Sequence, residues 1–228
     1  MATSGTTSWT LDIDEIALDA VDIVGGQPIL GYEGRQVRRA LNLLLTEWEN
    51  MEIPLWKIPS APIEQALTSG TSTYTLDSSY LDIVDAVLRT NSGDTQDLAM
   101  ERLSLSSWLR IPNKEQTGRP TQYFVNRQRD ALVVTLWPVP NDSTQEFVYW
   151  PFKQIEDATS MTQNADIPRR FLPALTHGLA YYLTYRRPNY DPARRADIRT
   201  LYMDSLKFAT DEDRERVSMS ILPKVGTL

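Results

Sequence analysis

The sequence predicts an α+β protein in which a four-helix bundle is built from both chain ends and a β-rich domain is inserted between the second and third helices. Three observations predict it. Apolar residues recur at helical spacing toward both ends, they alternate with a period of two in the middle, and Pro-, Ser- and Thr-rich stretches separate the two regimes. The 228 residues, 41% of them hydrophobic, suffice for a sizeable core. The expected boundaries are a flexible arm at 1–8, a helical bundle from 9–52 and 166–210, an inserted β-rich domain at 53–165 and a docking tail at 211–228.

From Leu11 onward, Ile13, Ile16, Ala17, Ala20, Val21 and Val24 form one stripe, with Asp12, Glu15, Asp19 and Asp22 on the opposite face. Gly25-Gly26 should end this helix. A short QPILGYEG connection leads into the second, so the two should pack as an antiparallel hairpin. The second helix buries Val37, Ala40, Leu41, Leu44, Leu45 and Trp48 and leaves Arg38, Arg39, Asn42 and Glu49 off the stripe, so that Asn42→Ala should be near neutral. Each large side chain contributes ~1.5–3 kcal/mol on burial. That exceeds what helix propensity supplies, so this helix needs a partner surface. A third helix starts near Pro168 and buries Phe171, Leu175, Leu179, Tyr182 and Leu183, with Pro173 near its first turn. Asp191 and Pro192 read as N-cap and first residue of a fourth, whose buried face is Ile198, Leu201, Tyr202, Ser205, Leu206 and Ala209.

In the insert, Leu55-Trp56-Lys57-Ile58 is strand-like and 59–73 reads as a loop. LDIVDAVLR fits a strand with a parity break at Ile83/Val84 that marks a bulge. Residues 106–111 fit one helical turn. The clearest β unit is Leu132, Val134 and Leu136 alternating with Val133, Thr135 and Trp137, then a PVPNDST turn and EFVYWPF, with TQYFVN pairing alongside.

Little here carries reaction chemistry. His177 is the single histidine, there is no cysteine, and no phosphate-binding glycine loop or nucleophile elbow is present. No catalytic site, cofactor or metal is expected. Nothing distinguishes a glycosidase-like pair among the 30 carboxylates. No stretch is long and apolar enough for a membrane span, and no signal peptide is expected. The arginines at 35, 38 and 39, 169 and 170, 186 and 187, 194, 195 and 199, and 214 and 216 read as salt-bridge donors. They fit scattered surface pairs and bases facing a neighbouring copy's acids equally well.

Four ordered segments carry a family resemblance: EWENMEIPLWKI with Trp48 and Trp56 either side of Pro54, TGRPTQYFVN, LWPVPND, and IPRRFLPALTHGLAYYLTYRRP. Over roughly residues 11–225 their order resembles the head-to-tail adaptors of short-tailed phages, also called connector or tail tubular A proteins. The resemblance implies a structural, non-enzymatic virion protein. It implies a twelve-fold ring beneath the portal that continues the DNA channel without binding the genome specifically, and that offers a platform to nozzle and tail fibre proteins. It places portal docking in the last segment, where Arg214, Arg216, Met219, Ile221, Leu222 and Val225 are the candidate contacts. The alternatives are a virion-associated cell-wall hydrolase and a non-viral α+β binding module.

The formal net charge of −7 opposes general affinity for nucleic acid phosphates. The free protein should show no salt-sensitive association with duplex DNA near physiological ionic strength in an anisotropy titration. A steep loss of affinity on adding salt would report phosphate neutralisation and overturn this expectation.

Overall fold

The computed structural model describes residues 9–26, 31–51, 55–90, 96–187 and 190–213. The fold is α+β, and the chain divides into two compact units: Met1–Ile53 with Asp157–Leu228, and Pro54–Glu156.

The first unit is helical. Helix α1 (Ile13–Val24) begins with a capping box, in which Asp12 accepts from the Glu15 N–H at 2.8 Å and Glu15 accepts from the Asp12 N–H at 3.1 Å. The N–H groups of Ile13 and Asp14, which no helical carbonyl can satisfy, donate to Gln163 and Met161 carbonyls at 2.9 Å. The helix ends as expected. Gly25 takes φ 72°, and the Gly25 and Gly26 N–H groups close on the Asp22 and Val21 carbonyls. Helix α2 (Gly31–Asn50) buries all six stripe residues foreseen for it.

The unit also holds α4 (Leu172–Thr184), preceded by a 3-10 turn at Arg169–Phe171, and α5 (Pro192–Glu212). Helix α4 is buried nearly all round, and α1, α2 and α5 each pack on it. The expected α1–α2 hairpin is therefore corrected. Both helices pack chiefly on α4 rather than on each other. Sequence neighbours joined by a short connection lose to an apolar helix that arrives later in the chain. Pro173 lies in the first turn of α4, where its missing N–H costs no helical bond. Asp191 caps α5 by accepting from the Ala193 N–H at 2.9 Å.

At Gly178 the packing on α4 is closest. A Cβ there would lie 2.8 Å from Cε2 of Tyr202 and 2.9 Å from a methyl of Leu44. Two expectations for side chains fail. Leu201 is 44% exposed, because it sits on the shoulder of a face centred on Ile198, Tyr202, Leu206 and Ala209. Asn42 is not idle, since its side-chain oxygen accepts from the partly buried Ala158 N–H at 2.9 Å.

The second unit consists of two four-stranded sheets. One has the order β1 (Ile63–Ala66), β10 (Gln145–Lys153), β3 (Tyr80–Thr90), β4 (Gln96–Ala99), all antiparallel. The other runs β2 (Thr73–Thr75), β8 (Leu132–Trp137), β7 (Gln122–Arg127), β5 (Glu101–Leu103), with β5 and β7 parallel. A two-residue ladder joins β6 (Thr117–Gly118) to β9 (Val139–Pro140). The inner faces share one core. Tyr123 from the second sheet meets Phe147 from the first at 5.7 Å between ring centroids, and Phe147 stacks on Tyr149 at 5.1 Å. Outside the core, Asp82 on β3 pairs with Arg102 on β5 and Arg127 on β7, so charge also joins the two sheets.

The bulge lies where the parity break placed it. Trp150 pairs with Asp85 and Pro151 with Ile83, which leaves Val84 without an opposite residue. Pro151 has no N–H to donate, so it suits that irregular position. TQYFVN does pair with the strand at 132–137. The PVPNDST segment carries the chain from one sheet into the other rather than joining neighbours. Two readings are corrected. Leu55–Lys57 is a 3-10 turn, since so short a run just before Pro59 leaves no room for a ladder. The 59–73 stretch, read as loop, contains β1, an edge strand that tolerates a proline at its start. The 106–111 turn is helix α3 (Leu105–Arg110), capped by Ser104.

Chemical denaturation should rank four substitutions. Leu44→Ala should cost ~2–5 kcal/mol. Gly178→Ala should destabilise although Ala is intrinsically the better helix former by about 1 kcal/mol. Asn42→Ala should cost roughly 1–3 kcal/mol by stranding the Ala158 N–H. Leu201→Ala should cost roughly 1 kcal/mol or less. Equal costs for Leu201→Ala and Leu44→Ala would contradict this packing.

Candidate assembly surfaces

Two hydrogen bonds between aromatic side chains and their neighbours cross the interior of the helical unit. The Trp48 indole donates to the Tyr202 hydroxyl at 2.9 Å, and the Tyr182 hydroxyl donates to Glu47 at 2.6 Å. Burial pushes the Tyr202 phenol up to about 12. Burial, reinforced by the Glu47 carboxylate, raises Tyr182 well above the ordinary range. Both phenols stay protonated; Tyr182 donates to α2 and Tyr202 accepts from it, which ties α4 and α5 to α2.

His177 has a serine neighbour, which makes a Ser-His relay worth testing. Its Nδ1 lies 2.7 Å from the Ser205 hydroxyl oxygen, and that hydroxyl donates to the Leu201 carbonyl at 2.8 Å. A serine proton directed at the backbone carbonyl matches the Nδ1–H tautomer of His177, which then donates to Ser205. A general base would have to accept there. The pair is a structural bond of the opposite polarity. No group of three or more His, Cys, Asp or Glu among the described residues could hold a metal ion.

In the helical unit three of the clustered arginines hold backbone carbonyls. Arg194 donates to the Ile23 carbonyl at 3.2 Å, Arg195 to Thr184 at 3.4 Å and Arg38 to Thr159 at 2.8 Å. Helices α1 and α4 carry no basic residue in their last turns, so arginines of α5 complement their negative ends. Arg170 pairs with Asp213 just past α5. The docking candidates Arg214, Arg216, Met219, Ile221, Leu222 and Val225 lie outside the described residues.

What remains on the surface is apolar side chains with nothing over them. In the helical unit these include Leu18 on α1, Leu43 on α2 and Phe208 on α5. In the β unit, α3 stacks Trp108 on Phe124 at 5.8 Å and turns Leu105 and Leu109 outward. Beside it lies an open cleft of about 560 Å³ lined by Trp108, Lys114, Glu115, Thr135 and Val139 among others. Lys114 sits over the Trp108 ring at 5.7 Å and donates to the Ile111 carbonyl at 3.1 Å, so its charge is engaged from within. Sequence periodicity missed these outward residues because it finds the buried stripe. The i, i+4 spacing of Leu105 and Leu109 in a six-residue helix was the available signal.

Burial lowers the pKa of His177 from its ordinary value. The unfolded chain therefore binds a proton that the folded one resists, and stability is lost as pH falls below about 6.5. Melting curves from about pH 7.5 to about pH 5.5 should show this loss. His177→Gln should flatten that part of the profile, and an unchanged profile would assign the slope to other groups.

No curated protein matches the chain. The SU10 adaptor protein family does, over residues 13–222, a span that runs from the first residue of α1 through both compact units. Outward apolar and charged faces in both units suit a structural role, and the chain belongs to the SU10 adaptor protein family of phage adaptors.

Proposed function

We propose that the protein is the head-to-tail adaptor of a short-tailed phage, forming a twelve-fold ring that joins the portal to the tail nozzle and continues the DNA channel. The family match over residues 13–222 carries this reading. In it the helices from both chain ends act as one four-helix bundle, and tail fibre proteins find a platform on the assembled ring. The genome passes without specific contact, in keeping with a net charge of −7. Docking on the portal falls to the segment after α5, through Arg214, Arg216, Met219, Ile221, Leu222 and Val225. A short strip of apolar residues beside two arginines suits a groove on another chain, and ordering it has an entropic cost that binding would offset.

The test compares the full chain with one ending at Asp213, a cut that keeps the Arg170 partner. Both should melt cooperatively at similar temperature. Only the full chain should co-purify with its portal and show rings on it by negative-stain microscopy. Normal portal binding by the shortened chain would place the docking surface elsewhere, and a portal complex without a ring would overturn the ring.

A further inference from the structure

We infer that the ring is closed by α1 of one copy lying across α2 of the next, an acidic ridge set against a basic one. The inference rests on the proposed ring and names the contact that builds it. On α1, Asp14, Leu18 and Asp22 follow one another at four-residue spacing along the exposed side. On α2, Arg35, Arg39 and Leu43 do the same. Rows at this spacing are the ridges that interlock when two helices pack. Each carries one leucine with nothing over it, Leu18 at 42% exposure and Leu43 at 51%. Neither row has an ion-pair partner among the described residues, whereas other arginines of the unit are held by carbonyls or by Asp213.

The charge imbalance is local. The chain has no lysine or arginine before Arg35, so no base in that stretch of sequence neutralises α1. Because α1 and α2 pack chiefly on α4 rather than on each other, the two ridges are separate surfaces of one unit. Two different patches that complement each other give a head-to-tail contact, which generates rings or filaments instead of two-fold dimers. Opposite charge fixes the partner and disfavours α1 meeting α1.

The absence of cysteine gives a clean test. Leu18→Cys and Leu43→Cys are placed together in the full chain, which is assembled on its portal and treated with a mild oxidant. A ladder of covalently linked copies, reversed by reductant, is the expected result. Each single variant should remain monomeric on the denaturing gel. Adding Arg35→Glu and Arg39→Glu should reduce the linked fraction by roughly tenfold or more, and adding Asp14→Arg and Asp22→Arg to that chain should restore it. All of these positions are exposed, and a thermal melt checks that each variant is folded. Rings in the micrographs without an 18–43 bridge would overturn this contact and leave the ring standing. A bridge from Leu18→Cys alone would show α1 meeting α1 and also overturn it. Absence of rings in the portal-bound wild type would instead overturn the ring, and this contact with it.

Discussion

The helical unit depends on one close approach, where the backbone of α4 at Gly178 lets Leu44 of α2 and Tyr202 of α5 come within contact distance. Around that point Trp48 packs on Phe171 at 5.8 Å between centroids and donates its N–H to Tyr202. Any larger residue at 178 would push on two helices at once. The residues that meet there are far apart in sequence, because a unit of about a hundred residues intervenes between α2 and α4. Closure entropy grows only slowly with loop length, so the interruption adds little to the cost of bringing the segments together. What it demands is an apolar helix able to collect the others, and α4 is that helix.

The same logic explains the arginines. A helix end leaves carbonyls unpaired, and α1 and α4 have no cation of their own in their last turns. Arg194 and Arg195, from the first turn of α5, reach those ends instead. Arg195 also lies 4.7 Å from the Tyr185 ring centroid, which steadies its fork. Arginine clusters in an acidic protein invite a reading as surface ion pairs or as a nucleic-acid footprint. Here part of the cluster is internal scaffolding.

Much of this was legible from the sequence because burial leaves a period. The stripes of α1 and α2, the cap at Asp191, the glycine stop after Val24 and the Val84 bulge all follow from local rules. Packing partners did not, since periodicity says which face is buried and nothing about what covers it. The α1–α2 pairing, Leu201 and Asn42 were misread for that reason. Leu201 flanks the true stripe closely enough to look like part of it. Asn42 is off the stripe and finds a backbone N–H in the 157–165 segment, a partner more than a hundred residues away. Strand β1 escaped because its edge position tolerates the Pro- and Ser-rich surroundings that read as loop. The Ser205 neighbour of His177 was equally invisible, and only its hydrogen-bond polarity decides what the pair is for.

An adaptor must persist as a free chain before it joins an assembly, and the surface chemistry fits both states. Exposed leucines here stand singly among charges on α1 and α2, so neither helix offers the broad apolar patch that drives indiscriminate association. One helix crossing is a small contact, well below the roughly 1,200–2,000 Å² buried by stable protein pairs. A lone pair of copies held only so would separate readily. In a closed ring every copy makes the contact twice, and loss of one copy breaks two contacts together, so a weak interaction becomes durable once the circle is complete. Screened surface charge gives the same asymmetry: it selects the partner at encounter and contributes little to holding a stray pair. The weakness of the individual contact is thus compatible with a durable ring and with a soluble subunit.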